Sequence, residues 1–343
     1  MRIFLHEHVS GGGFRGRPLP GSWAREGSAI RRALAGDFAA VPGVEVVATL
    51  DGRIGAEPPR PGVAHRIITD REPLDFARMV AGADATLAVA PEAGGLLAGL
   101  ARSIAEAGGR SLGSDPLAIE QAADKLGLAA RFEALGIPTP PTLPFGPGFE
   151  RPSTWDGPIV VKPIDGAGSV DTSVIADGDC PDWAREGRRA IAQPFLAGEP
   201  LSASFLVDRA GGATLLAVGR QRVEVDARGR ISYQGGSIPR AVDFPFEAVE
   251  AAVASVPGLL GFVGVDFLGL GDGSVSILEI NPRATTSVVG LARLRPPGTL
   301  AGAWLAASGG PLGGTDWPAR LAAASASPPL IFDADGSIRP ERY

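Results

Sequence analysis

Lysine and asparagine are almost missing from this chain. Of the 32 basic residues only Lys125 and Lys162 are lysines, and Asn281 is the one asparagine. Such a chain is biased toward Arg, Ala, Gly and Pro, so a surviving rare residue marks a position where the common substitute fails; a planar guanidinium cannot copy a compact ammonium. The single cysteine, Cys180, excludes an intrachain disulfide framework. No apolar run reaches the ~18 residues that a membrane helix needs. Met1-Arg-Ile-Phe-Leu-His-Glu7 turns polar too soon for a secretory signal and reads as a first strand. Acidic residues exceed basic ones, for a net charge of −6, which argues against a general nucleic-acid binder. A cytoplasmic enzyme with no membrane or nucleic-acid partner fits these absences.

Two phosphate-binding signatures are also lacking. No G-x-x-x-x-G-K-[ST] occurs, which excludes a P-loop. Gly11-Gly-Gly-Phe-Arg-Gly16 formally matches G-x-G-x-x-G, but a dinucleotide site needs a helix to open there. Pro18 and Pro20 follow, and a helix cannot run cleanly across them.

What is present divides in two. Apolar runs at 2–5, 44–50, 65–69 and 84–90 alternate with helical spacing at 23–40, 73–81 and 94–107. That alternation predicts an α/β unit with a parallel sheet. Residues 115–135 read as two helices, and the Pro/Gly stretch 136–158 as a boundary. Beyond it, strand-like runs at 158–162, 190–196, 201–208, 213–225, 230–234, 259–269 and 274–281, with helices at 244–256 and 285–293, predict an α+β unit. The Gly/Pro/Ala-rich tail carries one short strand, Leu330-Ile-Phe. The expected domains are 1–113, a central lid 114–190, and 191–343.

Several motifs carry chemistry. Pro158-Ile-Val-Val-Lys-Pro163 is an apolar strand that ends on Lys162. Asp165-Gly-Ala-Gly-Ser169 follows, and its Gly166, Gly168 and Ser169 can bring backbone N–H groups against phosphates while the lysine adds a point charge. The plainer alternative is a hairpin with a solvated lysine. Gln193-Pro-Phe-Leu196 can pair through its backbone with an adenine edge, and Glu199 can accept from ribose hydroxyls; an ordinary strand and turn is the alternative. In Gly264-Val-Asp-Phe267 and Ile277-Leu-Glu-Ile-Asn-Pro-Arg283 each polar residue interrupts an apolar strand and needs a reason. Glu279 and Asn281 lie two apart, hence on one face. Adjacent strands can bring Asp266, Glu279 and Asn281 to one point, an oxygen-ligand set suited to Mg²⁺ on nucleotide phosphates. Arg283 follows within reach of the same phosphates. A structural acid pair is the alternative.

In this order, Asp124-Lys125, Val-Val-Lys162-Pro, the glycine loop, Gln193-Pro-Phe-Leu, Gly-Val-Asp266-Phe and Glu279-Ile-Asn-Pro-Arg283 resemble the ATP-grasp ligases over roughly 110–295. The resemblance implies an ATP-grasp fold behind a pre-ATP-grasp parallel-sheet domain, with ATP and Mg²⁺ (or Mn²⁺) as cofactors. It implies that both lysines hold phosphates, that Gln193–Leu196 holds adenine, and that a carboxylate is activated as an acyl phosphate for attack by an amine. Glu7-His-Val-Ser-Gly-Gly-Gly13, Glu26-Gly27, Ala33-Leu-Ala-Gly-Asp37, Arg220-Gln-Arg-Val-Glu224, Tyr233-Gln-Gly-Gly and Asn281-Pro-Arg-Ala-Thr-Thr-Ser287 carry a narrower resemblance, to a subgroup that joins glutamate to tyramine in methanofuran-type cofactor synthesis. Gly219 departs from the Asn of that pattern. The narrower resemblance implies Arg222 and Arg283 at the acyl phosphate, and Arg220, Thr285, Thr286 and Ser287 as substrate contacts. Glu7 and Glu224 are candidates for the base that takes the amine's proton. Small-molecule substrates are the expected partners, and a homodimer is compatible. Another amino-acid or peptide substrate pair, or a nucleotide-binding regulator without catalysis, is the rival reading.

Overall fold

The computed structural model describes residues 1–166, 169–176, 180–241, 244–310, 321 and 329–340. Three sheets organise it. In the first, β1 (Arg2–Glu7), β2 (Glu45–Asp51), β3 (Val63–Ile68) and β4 (Ala85–Val89) lie in the order β3-β2-β1-β4. All its pairings are parallel. Runs such as Ile3-Phe-Leu5 and Ala85–Val89 are buried on both faces, as covering helices require. Those helices are α1 (Gly21–Ala39), α2 (Phe76–Ala81) and α3 (Leu96–Glu106). Residues 8–17 form turns and α1 starts only at Gly21, so no helix opens on the Gly11–Gly16 loop.

Next come α4 (Pro116–Ala123) and α5 (Lys125–Ala134). Asp124 caps α5, accepting from Gly127 N at 3.2 Å, which fixes the first helical residue as Lys125. A small sheet follows, in the order β5-β8-β6-β7, from β5 (Leu143–Phe145), β6 (Ile159–Pro163), β7 (Ser173–Ile175) and β8 (Ala190–Pro194), with a short α6 (Asp182–Arg185).

The third sheet holds β9 (Gly198–Val207), β10 (Ala213–Val225), β11 (Ile231–Ile238), β12 (Gly261–Leu270), β13 (Val275–Asn281), β14 (Leu330–Asp333) and β15 (Ile338–Pro340), in the order β13-β12-β9-β10-β11-β14-β15 and antiparallel throughout. One of its faces packs on α4, α5 and α7 (Glu247–Ala254) through Phe205, Val263, Val265 and Phe267. The other packs on α1, α8 (Ser287–Leu294) and α9 (Thr299–Ala307) through Phe262, Val288 and Trp304, so one core runs from the large sheet into the parallel sheet.

Helix α9 lies outside the sequence-based expectations. Asp37 of α1 holds its N-terminus, accepting from Gly298 N at 2.7 Å and Ala301 N at 2.6 Å, and Trp304 Nε1 donates to Leu112 O at 2.7 Å. The Asp37 of the Ala33–Asp37 motif is thus a clamp between the two ends of the chain.

Candidate active site

A cavity of about 480 Å³ opens between the small sheet and the large one. Lys162 ends β6 and Lys125 begins α5; both are buried, and both line the cavity with Gly166, Ser169, Asp266 and Glu279. Lys125 Nζ lies 3.3 Å from Glu279 Oε2 and donates to Gly166 O, tying α5 to the loop after β6. Asp266 of β12 stands directly opposite Glu279 of β13, and Gly264 opposite Asn281. Asn281 Nδ2 donates to Asp266 Oδ2 at 3.2 Å, and Gln221 Nε2 donates to Asp266 Oδ1 at 2.9 Å.

Two buried carboxylates across one strand pair are costly unless cations sit with them. Burial and the neighbouring Glu279 carboxylate push the Asp266 pKa up. Burial works against a charged Glu279 as well, but Lys125 and Lys162 outweigh it and hold the Glu279 pKa well below its usual range. Burial lowers the Lys162 pKa to about 8, against the pull of Glu279. The centre is therefore polarised. Glu279 is matched by lysines, whereas Asp266 faces it with only amide and hydroxyl donors, a set that accommodates a divalent cation bridged to an anion.

The rest of the cavity is apolar. Val160, Phe195, Leu196, Val223, Leu268 and Leu278 form a slot, and Gln193 and Pro194 lie at its wall. Gln193 Nε2 donates to Thr142 Oγ1 at 2.8 Å, and Phe195 N donates to Pro158 O at 3.0 Å, so this stretch is held firmly at the cavity wall. Its size and lining suit a flat heteroaromatic group.

A second cleft, of about 1090 Å³, adjoins the first; Ser169, Val170, Thr172 and Ile231 line both. Arg222, Glu224, Glu26, Tyr233 and Trp23 are among its walls. Arg222 is drawn toward Asp333 of β14 and donates to Gln234 O at 2.8 Å. Arg283 is partly buried and paired with buried Glu92, Nε to Oε1 at 2.9 Å and Nη2 to Oε2 at 3.1 Å. Burial disfavours the Arg283 charge, yet Glu92 outweighs that and its pKa is raised. Glu92 follows β4, at the carboxyl end of the parallel strands, where open α/β sheets bind ligands.

Several predicted residues lie elsewhere. Glu199 is not in the wall of the nucleotide-sized cavity. Its carboxylate pairs with Arg240 at 3.2 Å and Arg220 at 3.4 Å, because β9 already starts at Gly198 and points that side chain to the rim. Arg220 is correspondingly exposed rather than in either cleft. Thr285 and Ser287 share a hydrogen bond of 2.8 Å, continued from Ser287 to buried Ser204 at 3.0 Å, so they brace the start of α8; only Thr286 turns toward the wider cleft, onto Glu26. Glu7 is no candidate base. It is buried, accepts from Val9 N and Ser10 N, and lies so near α1 that a Cβ on Gly27 would meet its Oε2 at 2.3 Å. Glycine at 27 is what lets α1 pass over β1. Gly168 lies outside the described residues. Sequence reasoning missed Glu92 and Gln221, since nothing local links Glu92 to Arg283, 191 residues away.

Residues 122–287 match the model of the ATP-grasp domain, and residues 44–119 match that of the pre ATP-grasp 3 domain. The chain belongs to the ATP-grasp family. Among solved ATP-grasp structures, a superfamily protein from Archaeoglobus fulgidus superposes with a TM-score of 0.67 at 23% identity, over 90% of this chain and 88% of that one. D-alanine–D-alanine ligase from Bacillus anthracis, complexed with ATP, gives 0.58 at 16% identity, over 90% and 97%. Two relatives named tyramine–L-glutamate ligase, from Methanocaldococcus jannaschii and Methanocaldococcus fervens, are 31% and 29% identical to this ATP-grasp chain, each over 61% of it. The match spans 58% and 61% of those two relatives' own length. No helix among the described residues is long and apolar enough to cross a membrane.

Proposed function

We propose that the chain is an ATP-dependent carboxylate–amine ligase that joins the γ-carboxylate of glutamate to tyramine, tyrosine or a related aryl amine. The observation that carries the reading is the shared wall: Lys125, Lys162, Asp266 and Glu279 gather in a nucleotide-sized cavity that opens directly onto a larger cleft lined by Arg222, Trp23 and Tyr233. The names of the two Methanocaldococcus relatives support the substrate pair.

In this reading adenine occupies the apolar slot beside Gln193–Leu196, and Lys125, Lys162 and the loop from Gly166 to Ser169 hold the phosphates. Asp266, Glu279 and Asn281 would hold Mg²⁺, which when bound offsets phosphate charge and draws electrons from the γ-phosphorus. A carboxylate is a poor electrophile, because its charge repels a nucleophile and its oxygen leaves badly. Attack of the carboxylate oxygen on the γ-phosphate gives an acyl phosphate and ADP. Arg283, held in place by Glu92, faces the gathered negative charge, and Arg222 lines the cleft through which the second substrate arrives. The amine nitrogen then attacks the acyl carbon and phosphate leaves.

Incubation with ATP, Mg²⁺, glutamate and either tyramine or tyrosine tests the substrates. ADP release should need both, and the product mass should equal their sum less one water. Chelation should abolish the release, and Mg²⁺ or Mn²⁺, both of which favour oxygen ligands, should restore it. If only a different amino-acid pair drives ADP release, the substrate assignment is wrong; if none does, the catalytic reading is wrong.

Nucleotide binding should also take up protons. The free Lys162 pKa is near 8 because burial disfavours its charge; phosphates beside it favour the charged form and raise that value. Uptake is therefore small at pH 6.5, where Lys162 is already protonated, and grows as pH passes 8. Calorimetry of ATP binding in buffers of different ionisation enthalpy measures it. Uptake that stays flat across this range would separate Lys162 from the phosphates.

A further inference from the structure

An alkylammonium keeps its proton up to about pH 10, and while protonated it has no lone pair with which to attack. Six carboxylates line the wider cleft: Glu26, Asp171, Asp182, Glu224, Asp333 and Asp335. Four of these are committed elsewhere. Asp333 pairs with Arg222, Asp171 with Arg188, and Asp182 lies 3.8 Å from Arg185. Asp335 accepts from Ser337 N inside its own turn. Glu224 is exposed at the end of β10.

Glu26 differs from all five. It is half-buried on α1, and none of the ion pairs among the described residues involves it. Its Oε1 accepts from Thr286 Oγ1, and Tyr233 lines the same cleft. Thr286 lies three residues beyond Arg283, so the carboxylate sits where the loop after β13 leaves the polar centre and enters the cleft. Its charge is felt at both Arg283 and Tyr233. One Glu26 oxygen is thus fixed by Thr286, while the other has no protein donor among the described residues.

We propose that Glu26 is the carboxylate that receives the proton of the acceptor amine, a role that rests on the ligase reading above. One proton passes from the ammonium nitrogen to Glu26. The freed lone pair forms the C–N bond to the acyl carbon, and the C–O bond to phosphate breaks with its electron pair leaving on phosphate. The nitrogen's second proton goes to the departing phosphate, and Glu26 later releases its own to water. Thr286, in hydrogen bond with Glu26, is a positioning residue that keeps the carboxylate turned to the cleft.

Hydroxylamine separates this role from a structural one, because it is neutral at neutral pH and needs no base. Wild type and Glu26→Gln are compared with ATP, Mg²⁺ and glutamate, using tyramine in one arm and hydroxylamine in the other. For the variant, kcat/KM for tyramine should fall by about 100-fold or more, the contribution of a positioned base, while hydroxamate forms at the wild-type rate. An unchanged tyramine rate overturns the proposal. So does a parallel loss in both arms, which would assign Glu26 to folding or to glutamate binding. Absence of hydroxamate from the wild type with any carboxylate tried would instead remove the ligase reading, and the Glu26 role with it.

Discussion

Lys162→Ala should weaken ATP binding by about 10- to 150-fold while leaving the fold intact, a range that corresponds to the ~1.5–3 kcal/mol of one hydrogen bond to a charged group. The fold should survive because burial already works against this ammonium, so the protein loses little by losing it. Lys162→Arg should not rescue binding. The ammonium is a buried point charge at the end of β6, and a guanidinium fork is larger and planar. Titration calorimetry of ATP against each variant, with a thermal melt to establish folding, measures both expectations. Unchanged affinity in Lys162→Ala would detach the lysine from the phosphates.

Glu279→Gln should lower turnover by about 10²-fold or more, since a metal's charge stabilisation is worth several kcal/mol. Removal of one partner from a buried ion pair usually destabilises, because the other charge is left unmatched. Here the Asp266 charge also favours the Lys162 ammonium, although no ion pair joins the two. Loss of the Glu279 charge removes the repulsion that, with burial, raises the Asp266 pKa, so Asp266 is more readily ionised and leaves an anion near Lys162. Turnover and melting temperature should therefore separate, the first falling steeply and the second little. The Mg²⁺ dependence of the remaining activity should shift to higher concentration. Full turnover with unchanged Mg²⁺ dependence would place the metal elsewhere.

What could be read in the sequence follows from how local each signal is. A period of two puts Glu279 and Asn281 on one face of β13 without any knowledge of neighbours, and apolar flanks on both strands give the polar residues their weight. Lys125 and Lys162 stand out through scarcity. The pairing of β12 with β13 is a hairpin of near neighbours, so Asp266 opposite Glu279 was within reach of sequence reasoning. The failures are failures of range or of face. Glu92 meets Arg283 across 191 residues, and no spacing rule spans that. Glu199 begins a strand whose next seven residues from Leu201 are buried, so alternation could not tell which way its carboxylate points. Helix α9, Thr-Leu-Ala-Gly-Ala-Trp-Leu-Ala-Ala, is apolar on nearly every side and so carries no stripe to reveal it; Asp37, far earlier in the chain, fixes where it starts. Strand β5 is Leu-Pro-Phe within a proline-rich stretch, tolerated because it pairs on one side only, with β8.

Isotopically labelled oxygen in the γ-carboxylate of glutamate tests the central claim most directly. The protein is incubated with labelled glutamate, tyramine, ATP and Mg²⁺, and the inorganic phosphate is analysed by mass. Transfer through an acyl phosphate predicts a single labelled oxygen in the phosphate for every amide formed, with ADP in equal amount. Unlabelled phosphate, or AMP with pyrophosphate in place of ADP, would contradict it.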